Sequence, residues 1–100
     1  MKFHVSWTPR LGGSGRENEE TLQRAYEIFG RWKPTATVHQ FLGRVDGRGG
    51  FAIVETDDAE AIARDIAAFV PFLDYEVHPV LDIDRSTAVD QEAIQFRGSP

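Results

Sequence analysis

The chain has 100 residues, of which 41% are hydrophobic and 27% are charged, a composition typical of a single globular domain. Its net charge of -5 and its pI near 5.1 argue against a nucleic-acid-binding surface of basic residues and against a polybasic membrane anchor. The absence of cysteine excludes a disulfide scaffold, a thiolate metal site and a catalytic thiol. No apolar run approaches the roughly 20 residues that span a bilayer. We therefore expect a cytoplasmic protein without nucleic-acid or membrane partners.

The first half of the chain predicts a strand followed by a helix. Apolar and polar side chains alternate over residues 2–7, which is typical of a β-strand. A glycine-rich loop follows, and Ser14 with Glu17 has the spacing of a capping box. The apolar stripe beyond it predicts a helix over residues 17–32, which Pro34 ends.

The second half predicts a hairpin, a second helix and a last strand. We expect strands over residues 38–45, 51–55 and 74–81, and a helix over residues 59–70. The glycine-rich turn at residues 46–50 joins two strands, so we interpret it as a hairpin turn and not as a phosphate-binding loop. Asp57 with Glu60 is a second potential capping box, and Pro71 ends the helix.

The order β-α-β-β-α-β predicts a ferredoxin-like α+β domain over residues 1–82. We expect an antiparallel sheet in which strand four lies beside strand one, followed by strands three and two, with both helices on one face. Residues 83–100 form a more polar tail. This tail is either a short helix capped by Ser86 or Thr87 that packs on a partner subunit, or a frayed terminus.

The predicted sheet leaves one face without a cover. Phe41, Val45 and Val80 are expected on the face opposite the helices, where a monomer would leave them in water. Two such sheets packed face to face would cover them. The sequence therefore predicts a homodimer.

Four stretches of the chain resemble the bacterial domain of unknown function 3303 family. They are residues 2–8, the run Phe41-Leu42-Gly43-Arg44, the run from Gly49 to Asp58, and Glu76-Val77 with Pro79-Val80. The resemblance covers about residues 2–82, and that family is similar to the dimeric α+β-barrel proteins. The wider group includes cofactor-poor monooxygenases, haem-degrading enzymes, isomerases, cyclases and non-catalytic sensors, so the resemblance implies a fold and a homodimer but no single reaction.

Glu55 and His78 are the candidate catalytic residues. Glu55 ends an otherwise apolar strand, and a carboxylate on the helix side of that strand would be desolvated enough to act as a general base. At the end of its strand, Glu55 could equally reach water or the amides of the following helix. His78 and His4 fall on neighbouring strands, where a structural or solvent-facing role is the alternative to proton transfer. The histidines match no compact metal motif, and no metal or other cofactor is expected.

Trp7, Tyr26 and Phe51 are the candidate substrate-binding residues, as walls of an apolar pocket for a flat ligand. Ordinary core packing is the alternative for these aromatic side chains. By resemblance to haem-degrading barrel enzymes, the positions of Trp7 and Glu55 border the cavity between sheet and helices. Those enzymes have an asparagine at the first position and a tryptophan at the second. This chain has Trp7 and Glu55 there instead, so haem degradation is not expected.

Two functions remain open from the sequence. The first is a dimeric small-molecule-binding protein, which as an enzyme would be a cofactor-independent isomerase, cyclase or monooxygenase acting on an apolar or aromatic compound. The second is a non-catalytic dimeric binding or accessory module. A ligand-sized cavity would favour the first function, and a filled core would favour the second.

Overall fold

The computed structural model describes residues 1–98. Four strands and three helices follow one another as β1 (Lys2–Pro9), α1 (Gly15–Phe29), β2 (Thr37–Gly43), β3 (Gly50–Glu55), α2 (Ala59–Ala67), β4 (Leu73–Val80) and α3 (Ile83–Arg97). The predicted β-α-β-β-α-β order is confirmed, and a third helix continues it. The fold is therefore a ferredoxin-like α+β domain.

The four strands form one antiparallel sheet in the order β2-β3-β1-β4, as predicted. At its centre, Val5 of β1 pairs with Ala52 of β3 on one side and with Val77 of β4 on the other. Val5 and Ala52 belong to the buried core together with Ile62 of α2. These contacts identify the face of the sheet that the helices cover.

Strand β2 contains a β-bulge that changes which of its side chains face the helices. Val38 pairs with Val54, but Gln40 and not His39 pairs with Ile53, so two residues of β2 oppose one residue of β3. After the extra residue, the alternation resumes one position later. Val38 and Phe41, three residues apart, consequently lie on the same face.

Helix α1 begins at the predicted cap and ends earlier than predicted. Ser14 accepts a hydrogen bond from the backbone N–H of Glu17, whose carboxylate accepts one from the N–H of Ser14, which confirms the capping box. The helix ends at Phe29 instead of residue 32, where the chain tightens so that the N–H of Trp32 bonds to the carbonyl of Phe29. No residue of α1 is buried, so this helix does not pack tightly on the sheet.

Helix α2 is capped by Asp58 and not by Asp57 as predicted. The Asp58 carboxylate accepts a hydrogen bond from the backbone N–H of Glu60 at 3.0 Å. Asp57 instead pairs with the amino terminus at 3.2 Å. The helix ends at Ala67, and Phe69 follows in a turn whose N–H bonds to the carbonyl of Ile66. The turn directs Phe69 into the interior, where it is 6% exposed.

Helix α3 projects from the rest of the domain. Its 15 residues correspond to about 22 Å of helix, and none of them is buried. The described chain measures 61 × 28 × 20 Å, with a radius of gyration of 17.9 Å, where about 13 Å is typical of 100 compact residues. The N-cap position is Asp82, so the predicted caps at Ser86 and Thr87 are wrong.

Among residues 1–98, no helix combines the length and the apolar character needed to cross a membrane.

Candidate functional site

A cavity of about 430 Å³ lies between the helix-covered face of the sheet and helices α1 and α2. Sites for small molecules commonly have volumes of about 300–1,000 Å³. Seven aromatic side chains line this cavity: Trp7, Tyr26, Phe29, Trp32, Phe41, Phe69 and Tyr75. The space under α1 is therefore not a filled core.

The floor of the cavity is formed by aromatic residues of three strands. Trp7 on β1 pairs with Tyr75 on β4, and both side chains line the cavity. The Trp7 and Phe41 rings meet edge to face with centroids 5.2 Å apart. Phe41 also approaches the ring of Trp32 at 6.1 Å. The prediction that Phe41 covers the opposite face is therefore wrong, and the bulge in β2 is the reason.

Two glycines allow the polypeptide to fold closely around Trp7. A Cβ atom on Gly49 would lie 1.8 Å from the carbonyl oxygen of Trp7, and Gly49 has a φ of +94° that disfavours other residues. A Cβ atom on Gly50 would lie 2.8 Å from the indole ring of Trp7 and 2.1 Å from the carbonyl oxygen of Leu42. The hairpin glycines thus also position a wall of the cavity.

The roof of the cavity is an aromatic cluster from the ends of α1 and α2. Trp32 meets Phe69 edge to face with centroids 5.4 Å apart and stacks on Phe29 at 5.9 Å. The indole N–H of Trp32 donates to the carbonyl of Asp65 at 3.0 Å. Tyr26 is 69% exposed and Phe29 is 49% exposed, which places the side of the cavity under α1 next to solvent.

A buried carboxylate fastens α2 to the segment between α1 and β2. Asp65 is 8% exposed, and its two oxygens accept hydrogen bonds from the backbone N–H groups of Thr35 at 2.6 Å and Ala36 at 3.0 Å. The backbone carbonyl of Asp65 also accepts a hydrogen bond from the indole N–H of Trp32. Asp65 therefore fixes both the path of the chain before β2 and one wall of the cavity. Its carboxylate has a structural partner on each oxygen.

The cavity wall has little electrostatic character. Burial raises the pKa of the Tyr75 phenol to about 12, so this hydroxyl stays protonated at neutral pH. Arg44, which also lines the cavity, forms an ion pair with Asp46 in the hairpin loop. The two oppositely charged groups of the described wall, Asp65 and Arg44, are thus each held by partners of their own, and the arrangement is suited to holding an apolar molecule.

The predicted site residues separate onto the two faces of the sheet. Trp7 and Tyr26 both line the cavity, whereas Phe51, Glu55 and His78 do not. The prediction that Glu55 lies at the cavity rim is wrong. The buried side chains of β3 are Ala52 and Val54, and these are the ones that face the helices. Side chains alternate along a strand, so Phe51 and Glu55 lie on the opposite face.

That opposite face, called here the open sheet face, carries all three histidines. Its residues are Lys2, His4, Ser6, Thr8, Thr37, His39, Gln40, Leu42, Phe51, Ile53, Glu55, Asp74, Glu76, His78 and Val80. Glu55 Oε1 lies 2.7 Å from His39 Nε2, and both side chains are exposed. His4 pairs with His78 in the strand register and stacks on Phe51 at 5.2 Å. The apolar residues on this face are Leu42, Phe51, Ile53 and Val80; Val80 was predicted there, but Val45 lies in the hairpin loop.

The open sheet face brings histidines and carboxylates near one another without forming a metal-binding cluster. His78 Nε2 lies 3.5 Å from Glu76 Oε2, and the Glu55–His39 pair is separate from it. Within residues 1–98, no three His, Asp or Glu side chains are grouped so that they could hold a metal ion.

Sequence reasoning missed three residues that shape the cavity. Phe29 was assigned only to the apolar stripe of the first helix, and Phe69 and Asp65 were not singled out. A signal was present for Asp65, because it falls between Ile62 and Ile66 on the apolar stripe of α2, where a carboxylate needs buried partners. Phe69 had no comparable signal, since its direction depends on the turn after α2.

The fold and the site define a ferredoxin-like α+β domain with an aromatic cavity between its sheet and its first two helices. A family model described as Domain of unknown function (DUF3303) matches residues 1–94, and the chain belongs to this family. The match extends beyond residue 82, the end of the resemblance seen in the sequence, and includes most of α3. No curated protein matched the sequence.

Proposed function

We propose that this protein binds an apolar, aromatic small molecule in the cavity between the sheet and the helices, and that it does so as a homodimer. The observation that carries the proposal is the cavity itself, about 430 Å³ in volume and walled by aromatic side chains from three strands and two helix ends. Aromatic walls of this kind favour flat, apolar ligands.

A neutral fluorescent probe, N-phenyl-1-naphthylamine, tests the binding function. Ala25 lines the cavity from α1, so Ala25→Trp should fill it and abolish the rise in probe fluorescence. Gln23→Trp adds the same indole to an exposed position of α1 and should bind the probe like the unchanged protein. Circular dichroism checks that both variants fold. Equal probe binding by the two variants, or no binding by the unchanged protein, would contradict the proposal.

The open sheet face and α3 support the homodimer. Leu42 is 48% exposed, and on α3 Ile83 and Phe96 are 81% and 92% exposed. A second copy would cover both regions: the two sheets would pack face to face, and α3 would lie on the partner subunit. This arrangement accounts for a 15-residue helix that buries none of its residues within its own chain.

Sedimentation measurements on two variant pairs test the dimer. Ile53→Asp puts a charge on the open sheet face and should yield a monomer, whereas Ala63→Asp makes the same kind of change on the exposed side of α2 and should not. Phe96→Ser should weaken the dimer more than Gln95→Ser. A stable monomer of the unchanged protein at micromolar concentration would refute this part of the proposal.

A catalytic function is the second candidate, and the Glu55–His39 pair favours it. The two side chains are 2.7 Å apart, and a partner sheet would enclose them in the dimer together with His78. Glu55 would then be the general base of a cofactor-independent isomerase, cyclase or monooxygenase. Glu55→Gln keeps the shape of the side chain and should abolish turnover while preserving the fold. Unchanged turnover would leave Glu55 without this role, and the absence of any turnover would favour a non-catalytic binding or accessory module.

A further inference from the structure

The charges around the cavity restrict what it can hold. The ionisable residues in its wall are Asp65, Arg44 and the two tyrosines. Both Asp65 oxygens already accept backbone N–H groups, and Arg44 is paired with Asp46. Within residues 1–98, the cavity wall therefore offers no unpaired charge. A charged ligand would lose its hydration on entry without gaining a counter-charge, which is costly.

Two residues of the same wall carry side-chain hydrogen-bond donors that are unused in the described part of the chain. Trp7 and Tyr75 are partners across β1 and β4, and both line the cavity. Among residues 1–98, neither the Trp7 indole N–H nor the Tyr75 hydroxyl has a hydrogen-bond partner. Every fully buried side-chain polar atom in this part of the chain does have a partner, so these two groups are not sealed from solvent. The indole N–H of Trp32, in contrast, is already bonded to Asp65.

Burial keeps the Tyr75 hydroxyl protonated well above neutral pH. The surrounding apolar groups raise the pKa of its phenol to about 12, so the hydroxyl keeps its proton throughout the neutral range. The indole N–H of Trp7 can only donate. A ligand group that satisfies both side chains must therefore be a hydrogen-bond acceptor, such as a carbonyl oxygen.

We infer that the cavity selects an uncharged, planar aromatic molecule carrying a carbonyl-type acceptor, which Tyr75 and Trp7 bind from one side of the floor. This inference rests on the proposed binding function and adds the chemical class of the ligand. The aromatic rings of the roof supply the apolar contact, and the two donors on adjacent strands supply the orientation.

A matched pair of probes tests the preference for an uncharged ligand. N-phenyl-1-naphthylamine and 8-anilinonaphthalene-1-sulfonate share one ring skeleton and differ by a sulfonate. The neutral probe should bind at least tenfold more tightly, because Arg44, the cation in the described cavity wall, is already paired with Asp46 and the sulfonate would have no free counter-charge. Equal or tighter binding of the sulfonate would overturn the inference while leaving the binding function intact. Failure of both probes would instead refute the binding function.

A second pair tests the acceptor group in competition with the neutral probe. 2-Acetylnaphthalene carries a carbonyl that 2-ethylnaphthalene lacks. Tyr75→Phe should weaken ketone binding by about threefold to tenfold, the range of one neutral hydrogen bond, and leave hydrocarbon binding within about twofold. Thr8→Val removes a hydroxyl from the exposed side of β1, on the open sheet face and outside the cavity, and should affect neither ligand. If Tyr75→Phe weakens both ligands equally or neither of them, the donor role of Tyr75 is refuted.

Discussion

Replacing Asp65 with asparagine should destabilise the fold more than any other single neutralisation of an acidic residue. Asp65 is the buried acidic residue of the described chain, and its two oxygens accept the N–H groups of Thr35 and Ala36. Asparagine has one acceptor oxygen, and its amide group would point a donor at the second N–H. The N–H of Ala36 or of Thr35 would then lose its acceptor inside the protein.

The size of the effect follows from these contacts. A hydrogen bond to a charged group contributes about 1.5–3 kcal/mol, and Asp65→Asn weakens one bond and removes the other. We therefore expect the free energy of unfolding to fall by about 2–4 kcal/mol. With about 4–8 °C for each kcal/mol in a domain of this size, the thermal midpoint should fall by roughly 10–30 °C.

Urea unfolding at one fixed protein concentration measures this change, since a dimer makes stability depend on concentration. The midpoint should shift while the slope with urea stays the same. Asp90→Asn removes the same charge from an exposed position of α3 and should change the free energy of unfolding by less than about 0.5 kcal/mol. A similarly small change for Asp65→Asn would refute the reasoning and show that the two N–H groups find other acceptors.

Three further predictions concern titration and the hairpin. Because the folded pKa of Tyr75 is about 12 and that of a free tyrosine is about 10, stability should be lost as pH rises through this window, and Tyr75→Phe should reduce the loss seen by denaturant unfolding. The hydrogen bond and charge of Lys2 lower the pKa of the Asp82 carboxyl. This pair should therefore contribute stability above the ordinary pKa of aspartate, and the contribution should be lost as pH falls through the lowered pKa. Lys2→Met should raise the titration midpoint of Asp82 measured by carbon NMR. Gly50→Ala should cost about 1–3 kcal/mol in unfolding measurements because its Cβ would meet backbone atoms, whereas Gly43→Ala, with open space around it, should cost less.

The sheet and its connections could be predicted from the sequence because they depend on local signals. The alternation in β1, the capping box of Ser14 and Glu17, and the prolines after the helices each mark an element or its end. The order of these elements then leaves the ferredoxin-like arrangement as the expected topology, and the observed strand order agrees with it.

The facing of β3 could not be predicted, because this strand is apolar on both sides. Phe51 and Ile53 are larger than Ala52 and Val54, so size alone would direct them towards the helices. The structure buries Ala52 and Val54 there instead. Only the pairing with β1, where Val5 opposes Ala52, decides the matter, and pairing is a property of the assembled sheet.

Helix α3 illustrates a different limit. Its apolar residues do not form one continuous stripe, so the sequence left a short helix and a frayed terminus as equal alternatives. The structure has a 15-residue helix with no buried side chain. Among residues 1–98, no packing within the chain buries the apolar residues of α3, which is why we propose a second copy as their partner.

The cavity itself arises from two departures from regular strand geometry that the sequence pattern hides. One extra residue in β2 turns Phe41 towards the helices, and Gly50 leaves room beside it for the Trp7 indole. Ala52, a small buried residue, pairs with Phe41 in the sheet, and α1 bridges the space above without burying a residue of its own. A β-strand of strict alternation would have sent Phe41 to the open sheet face and deprived the cavity of one of its walls. The flat-ligand site that we propose therefore depends on the bulge as much as on the aromatic composition.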